Sequence, residues 1–406
     1  YREYQKFSTI NRDFQIIRTK KETISKEKSI ICSYDLSIHY NASDFGDFDL
    51  LILDEAHYLK SIKTKRTIGV LGKNGLIRKA KRTWALTGTP MPNNASELWP
   101  WFYTTGVIKQ DYDRFVEQYC TVVDKGHGPQ ITGTKFSEIP HLKKIIEPHM
   151  LRRKTQEVLK DLPEIFYTHQ YVEAGPVKLD EMPSYAQWYV PQNREHQLLE
   201  QIKKEEQLIL DNIEYAGITK VGMKIFEGLA KSVQTVRRYV GLQKVVPIVE
   251  MVKNELEFGA YDKIVIFAIH SDVIKQLRDH LKEYNPVTIY GATPPDKRQK
   301  HIDKFMHNPR CRVFIGNVIA AGTGITLTSS NQVLFAEMDW TPGNNVQAAK
   351  RCHRIGQVKP VFVRIISLED SFDKRINNAL RRKAREISAV LDKNLLQNQL
   401  NDFRFE

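Results

Sequence analysis

Cysteine is scarce in this sequence: Cys32, Cys120, Cys311 and Cys352 are the only four in 406 residues. They are widely scattered and never form a Cys-x-x-Cys pair, and the twelve histidines show no H-x-x-x-H pairing. A structural zinc site and a disulfide framework are therefore not expected, and a reducing, intracellular compartment is. No stretch of about 18 consecutive apolar residues occurs, so no membrane partner is expected. The opening residues, YREYQKFSTINRDFQ, contain no apolar core of a signal peptide. Internal repeats and low-complexity segments are also missing. No bromodomain-like, chromodomain-like or zinc-binding appendage is visible, which gives chromatin reading no support.

What is present is ordinary globular chemistry with an excess of positive charge. Hydrophobic residues make up 41% and charged residues 27%, a composition of a folded protein with room for two or three domains. The net charge of +13 and pI of about 9.3 favour a polyanionic partner, nucleic acid before anionic membrane.

Short apolar runs recur and end in polar or small residues: FDLLIL (48–53), RTWALTGTP (82–90), KIVIFAIHS (263–271), PVTIY (286–290), CRVFIG (311–316), QVLFAEMD (332–339) and VFVRIIS (361–367). They are continuous rather than alternating, so they read as buried parallel strands. Helical stretches such as SDVIKQLRDHLKEY and DKRQKHIDKFM separate them. This βαβ rhythm predicts a doubly wound α/β fold. Between about 91 and 260 the rhythm breaks into a charged, mostly helical pattern, clearest in QNREHQLLEQIKKEEQLILDNIEY. The tail DSFDKRINNALRRKAREISAVLDKNLLQNQL reads as another amphipathic helix.

Three stretches carry candidate chemistry. LLILDEAHYLK places Asp54 and Glu55 at the carboxyl end of a buried strand, the edge where open α/β sheets bind ligands. Such an Asp can hold Mg²⁺ and the adjacent Glu can polarise an attacking water; a solvated strand end is the plainer reading of two acids alone. LTGTP (86–90) is a strand running into a Thr/Gly turn, whose hydroxyls can report a phosphate's state, or a simple β-turn closed by Pro90. The longest stretch, residues 316–357, holds Gly322 and Gly324, where backbone can approach a phosphate closely. Thr323, Thr326 and Thr328 add hydroxyls, followed by Asp339-Trp340 and QAAKRCHRIGQ. If that last segment is helical as far as Gly356, Gln347, Arg351 and Arg354 share one face. Two guanidinium forks there suit phosphate oxygens; a solvated basic helix is the alternative.

Taken in order, DEAH, LTGTP, the Gly/Thr loop and Q-x-x-x-R-x-x-R-I-G-Q resemble the motifs of Swi/Snf-type superfamily-two helicase-like ATPases. MLRRKTQEVLKDLPE (150–164) is similar to that family's segment between its lobes, and ICSYDLS (31–37) to its Ser-Tyr element. The resemblance covers about 30 to 390 and looks closest to the annealing-helicase branch, with Thr326 where many chromatin remodellers have Asn.

The resemblance implies two RecA-like lobes facing each other with ATP and Mg²⁺ in the cleft. It gives Asp54 and Glu55 the metal and the water, and Gln347, Arg351 and Arg354 the triphosphate. His57, Thr87, Gly88 and Thr89 become nucleotide-coupling residues, and Ser33, Tyr34, Gly322, Thr323, Gly324, Thr326 and Trp340 bind or couple to DNA. The implied partner is double-stranded DNA, held through its backbone without reading sequence. The expected layout is a first lobe at 1–165 with a helical insertion from about 91, a linker and insertion at 166–244, a second lobe at 245–368 and a C-terminal helical brace at 369–406.

One departure is large. The family has a phosphate-binding G-x-x-x-x-G-K-[ST] loop before DEAH, and here the Gly-Lys of GVLGKNG (69–75) follows it and has Asn74 where Ser or Thr is needed. With 53 residues before Asp54, the sequence is expected to be a family member lacking the first half of its first lobe and inactive as it stands. The alternative is a non-enzymatic DNA- or protein-binding pseudo-ATPase; a strand-separating helicase is disfavoured. The missing appendages point to a bacterial or viral source and the cytoplasm, whereas a eukaryotic source would place the protein in the nucleus.

Overall fold

The computed structural model describes residues 13–124, 129–151, 153, 158–173, 234, 237–322, 324–369 and 371–391. The chain divides into two compact units, Tyr1–Thr121 with Gly133–Met150, and Val122–Thr132 with Leu151–Glu406.

In the first unit β1 (Phe14–Ile16) pairs in parallel with β2 (Ser29–Ile31), and the short helix α1 (Tyr34–Ser37) follows. β3 (Phe48–Leu53) leads through α2 (Lys65–Leu71) to its parallel partner β4 (Ala80–Ala85), with Ile52 opposite Trp84 and Leu53 opposite Ala85. Leu53, Ala56, Leu59, Val70, Leu71 and Leu76 form the core beneath this pair. Thr64 caps α2, its side chain accepting from Thr67 N–H, and Gly72 ends it. A Cβ on Gly72 would lie 2.3 Å from the Ile68 carbonyl oxygen, so this glycine closes a helix against its own last turn. Further on lie α3 (Trp99–Thr104), α4 (Tyr112–Tyr119) and α5 (Ile139–Ile146). β5 (Cys120–Asp124) pairs with β6 (Pro129–Thr134), and most of this pair, Val122–Thr132, groups with the second unit.

The second unit is built on six parallel strands in the order β7-β12-β11-β8-β10-β9. In chain order these are β7 (Ile165–Val172), α6 (Val245–Glu257), β8 (Ile264–Ala268), α7 (Ser271–His280), β9 (Val287–Ile289) and α8 (Pro295–His307). Then come β10 (Val313–Asn317), β11 (Gln332–Phe335), α9 (Pro342–Ala349), β12 (Val361–Leu368) and α10 (Asp373–Leu391). Successive β8 residues feed opposite faces of the sheet. Val265 and Phe267 join a core with Ile302 and Phe305 of α8, Ala348 of α9 and Ile376 of α10. Ile264, Ile266 and Ala268 join another with Val249 of α6 and Val273 of α7. Helices thus cover both faces, which is why the central strand β8 is apolar throughout, and the doubly wound α/β expectation holds.

Three expectations need revision. First, β3 and β4 are not buried on both faces: Leu50, Ile52, Trp84 and Leu86 are exposed. Only the face carrying Leu51 and Leu53 has helices packed on it among the described residues. Second, the stretch 91–260, read as mostly helical, also holds three strands that were not expected, β5, β6 and β7. β7 lies inside the stretch read as linker, yet pairs with β12 along its whole length, Ile165 opposite Val361 to Val172 opposite Leu368. Its aromatic and β-branched residues, IFYTHQYV, fit a pleated surface. Third, the arginine helix is shorter than expected: α9 stops at Ala349, and Arg351 and Arg354 lie beyond it. There Leu327 N–H donates to the Arg351 carbonyl at 2.8 Å, a tertiary bond that takes an acceptor a continuing helix would use. GVLGKNG, already set aside as a phosphate loop, belongs to the end of α2 and the turn after it. The helical reading of 192–215, and of the tail beyond 391, lies outside the described residues.

Candidate functional site

In the first unit the two carboxylates stand where the sequence puts them, immediately after β3. Asp54 is exposed and Glu55 half-buried. Glu55 has a left-handed backbone, φ +48 and ψ +48, uncommon for a residue with a long side chain. The turn is held from three sides. Tyr34 Oη–H donates to the Asp54 carbonyl at 2.8 Å, Ala56 N–H donates to the Leu86 carbonyl at 2.9 Å, and Trp101 Nε1–H donates to the Ala56 carbonyl at 3.3 Å. Burial, and then the Asp54 and Glu55 charges, push the Tyr34 phenol well above its ordinary pKa, so it stays a neutral donor.

His57 joins DEAH to LTGTP. Its Nδ1 lies 3.1 Å from Thr87 Oγ1 and 3.3 Å from Glu55 Oε2, so the imidazole stands between hydroxyl and carboxylate. Thr87 Oγ1 also accepts from Thr89 N–H at 3.1 Å, and Gly88 is exposed at the crest of the turn. Beyond them Glu97, 8% exposed, accepts from Asn93 N–H at 2.6 Å and from Lys60 Nζ at 2.8 Å. These three residues were not singled out from the sequence, and they tie the end of the DEAH turn to the loop after LTGTP. Ser33 caps α1, its hydroxyl accepting from Leu36 N–H at 3.3 Å.

In the second unit both arginines converge on the Gly/Thr loop. Arg351, 5% exposed, donates from Nη1 to the Ile325 carbonyl at 3.5 Å. Arg354, exposed, reaches the same carbonyl at 3.3 Å and Thr326 Oγ1 at 3.4 Å. Burial lowers the Arg354 pKa from a value so high that the group stays charged. Gln347 is half-buried on the last turn of α9.

The loop needs its glycines. A Cβ on Gly322 would lie 2.2 Å from the Val318 carbonyl oxygen, and Gly324 has φ +69. Thr323 lies outside the described residues. Trp340 packs edge-on to Phe372 at 6.0 Å with the Arg237 guanidinium 5.0 Å over its ring.

Gln357 is the residue the sequence reading passed over. It is 6% exposed. Its Nε2 donates to the carbonyls of Ser330, Cys352 and Thr328 at 3.0, 3.1 and 3.3 Å. Its Oε1 accepts from Lys359 and Val358 N–H at 3.0 and 3.1 Å. One amide thus binds the arginine turn to the Gly/Thr loop. A signal was available: a glutamine directly after a turn glycine and before an apolar strand.

The chain is similar to known proteins. The model of the SNF2-related domain matches residues 3–216, and that of the helicase conserved C-terminal domain matches residues 247–356. The first takes in over half of the chain, which therefore belongs to the SNF2-related family of helicase-like ATPases. The SWI/SNF-related matrix-associated actin-dependent regulator of chromatin subfamily A-like protein 1 of Drosophila melanogaster is 27% identical over 93% of this chain and 46% of its own length. The DNA annealing helicase and endonuclease ZRANB3 of Bos taurus is 27% identical over 94% of this chain and 34% of its own length. The chain thus spans half or less of the length of these relatives. The solved SWI2/SNF2 ATPase core of Sulfolobus solfataricus in complex with dsDNA is 26% identical, covering 99% of this chain and 82% of that one, with a TM-score of 0.40.

Proposed function

We propose that the chain serves ATP-dependent translocation along double-stranded DNA, remodelling or annealing the duplex or displacing bound protein. The observation that carries this reading is the cross-braced turn after β3. Two carboxylates stand at a sheet's carboxyl edge, and His57 joins them to the LTGTP hydroxyl of Thr87. Ligands of open α/β sheets bind at that edge.

Mg²⁺ fits this donor set, because it takes one or two carboxylates, keeps several waters and leaves positions for phosphate oxygens. Asp54 is exposed and offers such a carboxylate. When bound, the ion would neutralise charge on the β- and γ-phosphates. Glu55 orients the attacking water, and His57 relays the state of that site to Thr87. Arg351 and Arg354 stabilise charge developing on the transferring phosphoryl group, exchanging their long bonds to the Ile325 carbonyl for phosphate oxygens. Thr326 and the Gly/Thr loop couple that exchange to the DNA backbone. The net charge of +13 supports a partner recognised by its phosphates.

These 406 residues contain no G-x-x-x-x-G-K-[ST] loop, so by themselves they should bind duplex DNA yet release phosphate from ATP at background rate. Positioning is most of phosphoryl-transfer catalysis, and that loop does the positioning. Two measurements test the proposal. Duplex binding should ignore sequence and weaken steeply as salt rises several-fold; retention of affinity would sink the DNA reading. DNA-stimulated phosphate release abolished by Glu55→Gln would overturn the inactivity while supporting the site. Binding without turnover, in a protein carrying such a loop, would favour the pseudo-ATPase.

A further inference from the structure

Between the two arginines lies a side chain for which the proposed chemistry has no use. His353, half-buried, is bonded through Nε2 to the Pro163 carbonyl oxygen at 2.6 Å. A carbonyl only accepts, so the imidazole proton is on Nε2. Pro163 belongs to residues 158–164, which lead into β7 within the second unit. One residue later Val361 N–H donates to the Glu164 carbonyl at 2.9 Å. The segment is therefore fastened to the arginine turn by a side chain and to the start of β12 by backbone.

The turn itself is stiff. The Arg351 carbonyl is held by Leu327 N–H, Cys352 is fully buried, and the Gln357 amide ties the Cys352 carbonyl to those of Thr328 and Ser330. A stiff turn moves as a body. Arg354 follows His353 directly and Arg351 is two positions before it, so a displacement at His353 reaches both guanidinium groups.

We propose that His353 is a positioning residue that passes displacement of residues 158–164 to Arg351 and Arg354, so that the lead into β7 sets where both guanidinium groups point. The importance of that aim rests on the reading of the arginines as phosphate ligands; the link itself does not.

Cys352 provides a native reporter. It is fully buried, and Cys311, fully buried in the same unit, is the control for global loosening. The experiment is site-resolved alkylation of the 406-residue protein with iodoacetamide under native conditions, read by mass spectrometry. His353→Ala should speed Cys352 alkylation by roughly two- to tenfold, the range set by one net hydrogen bond, with Cys311 unchanged. His353→Gln, which keeps a donor, should recover part of the protection. His353→Phe keeps ring volume without the donor and replaces the alanine variant if that fails to fold. Pro163→Gly frees the backbone that carries the acceptor. It should speed Cys352 alkylation in the wild-type background and add nothing in His353→Ala.

A packing role confined to the turn would instead give independent, multiplicative effects. Multiplicative effects, no effect of losing the donor, or equal acceleration of Cys311 would each overturn the proposal. No readout involves nucleotide, so a failure of the ATPase reading leaves this test intact, and the converse holds.

Discussion

Replacing Gln357 should loosen the arginine turn more than any other single neutral substitution there. Its amide has two protons, shared among three carbonyl oxygens, and its carbonyl accepts two further N–H groups. That amounts to about four hydrogen bonds, each worth about 1 kcal/mol net. At 6% exposure the abandoned carbonyls have little water to turn to. Gln357→Ala should therefore cost about 3–4 kcal/mol. Urea unfolding followed by circular dichroism should show the second unit's midpoint falling with an unchanged slope. Gln357→Glu sharpens the test. An ionised carboxylate cannot donate and would face three carbonyl oxygens, so the fold raises that acid's pKa above its ordinary value of about 4.3. The folded state then binds more protons than the unfolded one. The variant is closest to wild type below about pH 4.3 and loses stability as pH rises through the raised pKa. A loss under about 1 kcal/mol for the alanine variant, or a glutamate variant indifferent to pH, would refute the assignment of Gln357 as the tie between turn and loop.

Three further outcomes are expected. Burial first, helped by the Arg381 and Lys244 charges, holds the His169 pKa at about 4, against an ordinary 6.5; its contribution is complete above pH 6.5 and is lost as pH falls towards 4. The stability gap between wild type and His169→Gln should narrow over that window, and a constant gap would remove His169 as the cause. Lys244, 1% exposed, donates to Asp373 Oδ2 at 2.7 Å, so Lys244→Met strands a largely buried carboxylate and should cost about 3–5 kcal/mol. Lys244→Met with Asp373→Asn should recover most of it in thermal unfolding; failure to recover would show that packing, not charge, is what Lys244 supplies. Glu55→Asn suits the left-handed backbone at φ +48 and should stabilise the first unit by about 0.5–1 kcal/mol, so a lower Tm would argue against stored strain at the carboxylate turn.

The second unit was largely legible because buried parallel strands need continuous apolar runs, and β8, β10, β11 and β12 all have them. β7 escaped because it is an edge strand: Phe166, Thr168 and Gln170 are exposed, so its pattern is mixed. The positions of Asp54, Glu55, Arg351 and Arg354 were legible as motifs, but the shape of the arginine segment was not. Helical periodicity continues through Arg354, and only a tertiary bond from Leu327 N–H shows where the helix stops. The open face of β3 and β4 was equally hidden, since an apolar strand reads the same whether or not a layer covers it. His353, Gln357 and Glu97 act through backbone groups distant in sequence, and spacing along the chain carries no trace of such bonds.

The pairing of β7 with β12 also sets an order of events at the ribosome. Ile165 must meet Val361, a partner made about 200 residues later. At about 5–20 residues per second, β7 waits roughly 10–40 s after emerging before β12 exists. Through that interval IFYTHQYV is an aromatic strand with no mate, the kind of segment that pairs with the wrong chain. The sheet can close only when residues near 368 have left the tunnel, so β7 and the arginine turn are brought together only after that interval. Slow translation upstream of 361 would lengthen the exposure, and a chaperone that shields aromatic strands should bind nascent chains ending between about 210 and 360 more than shorter or longer ones.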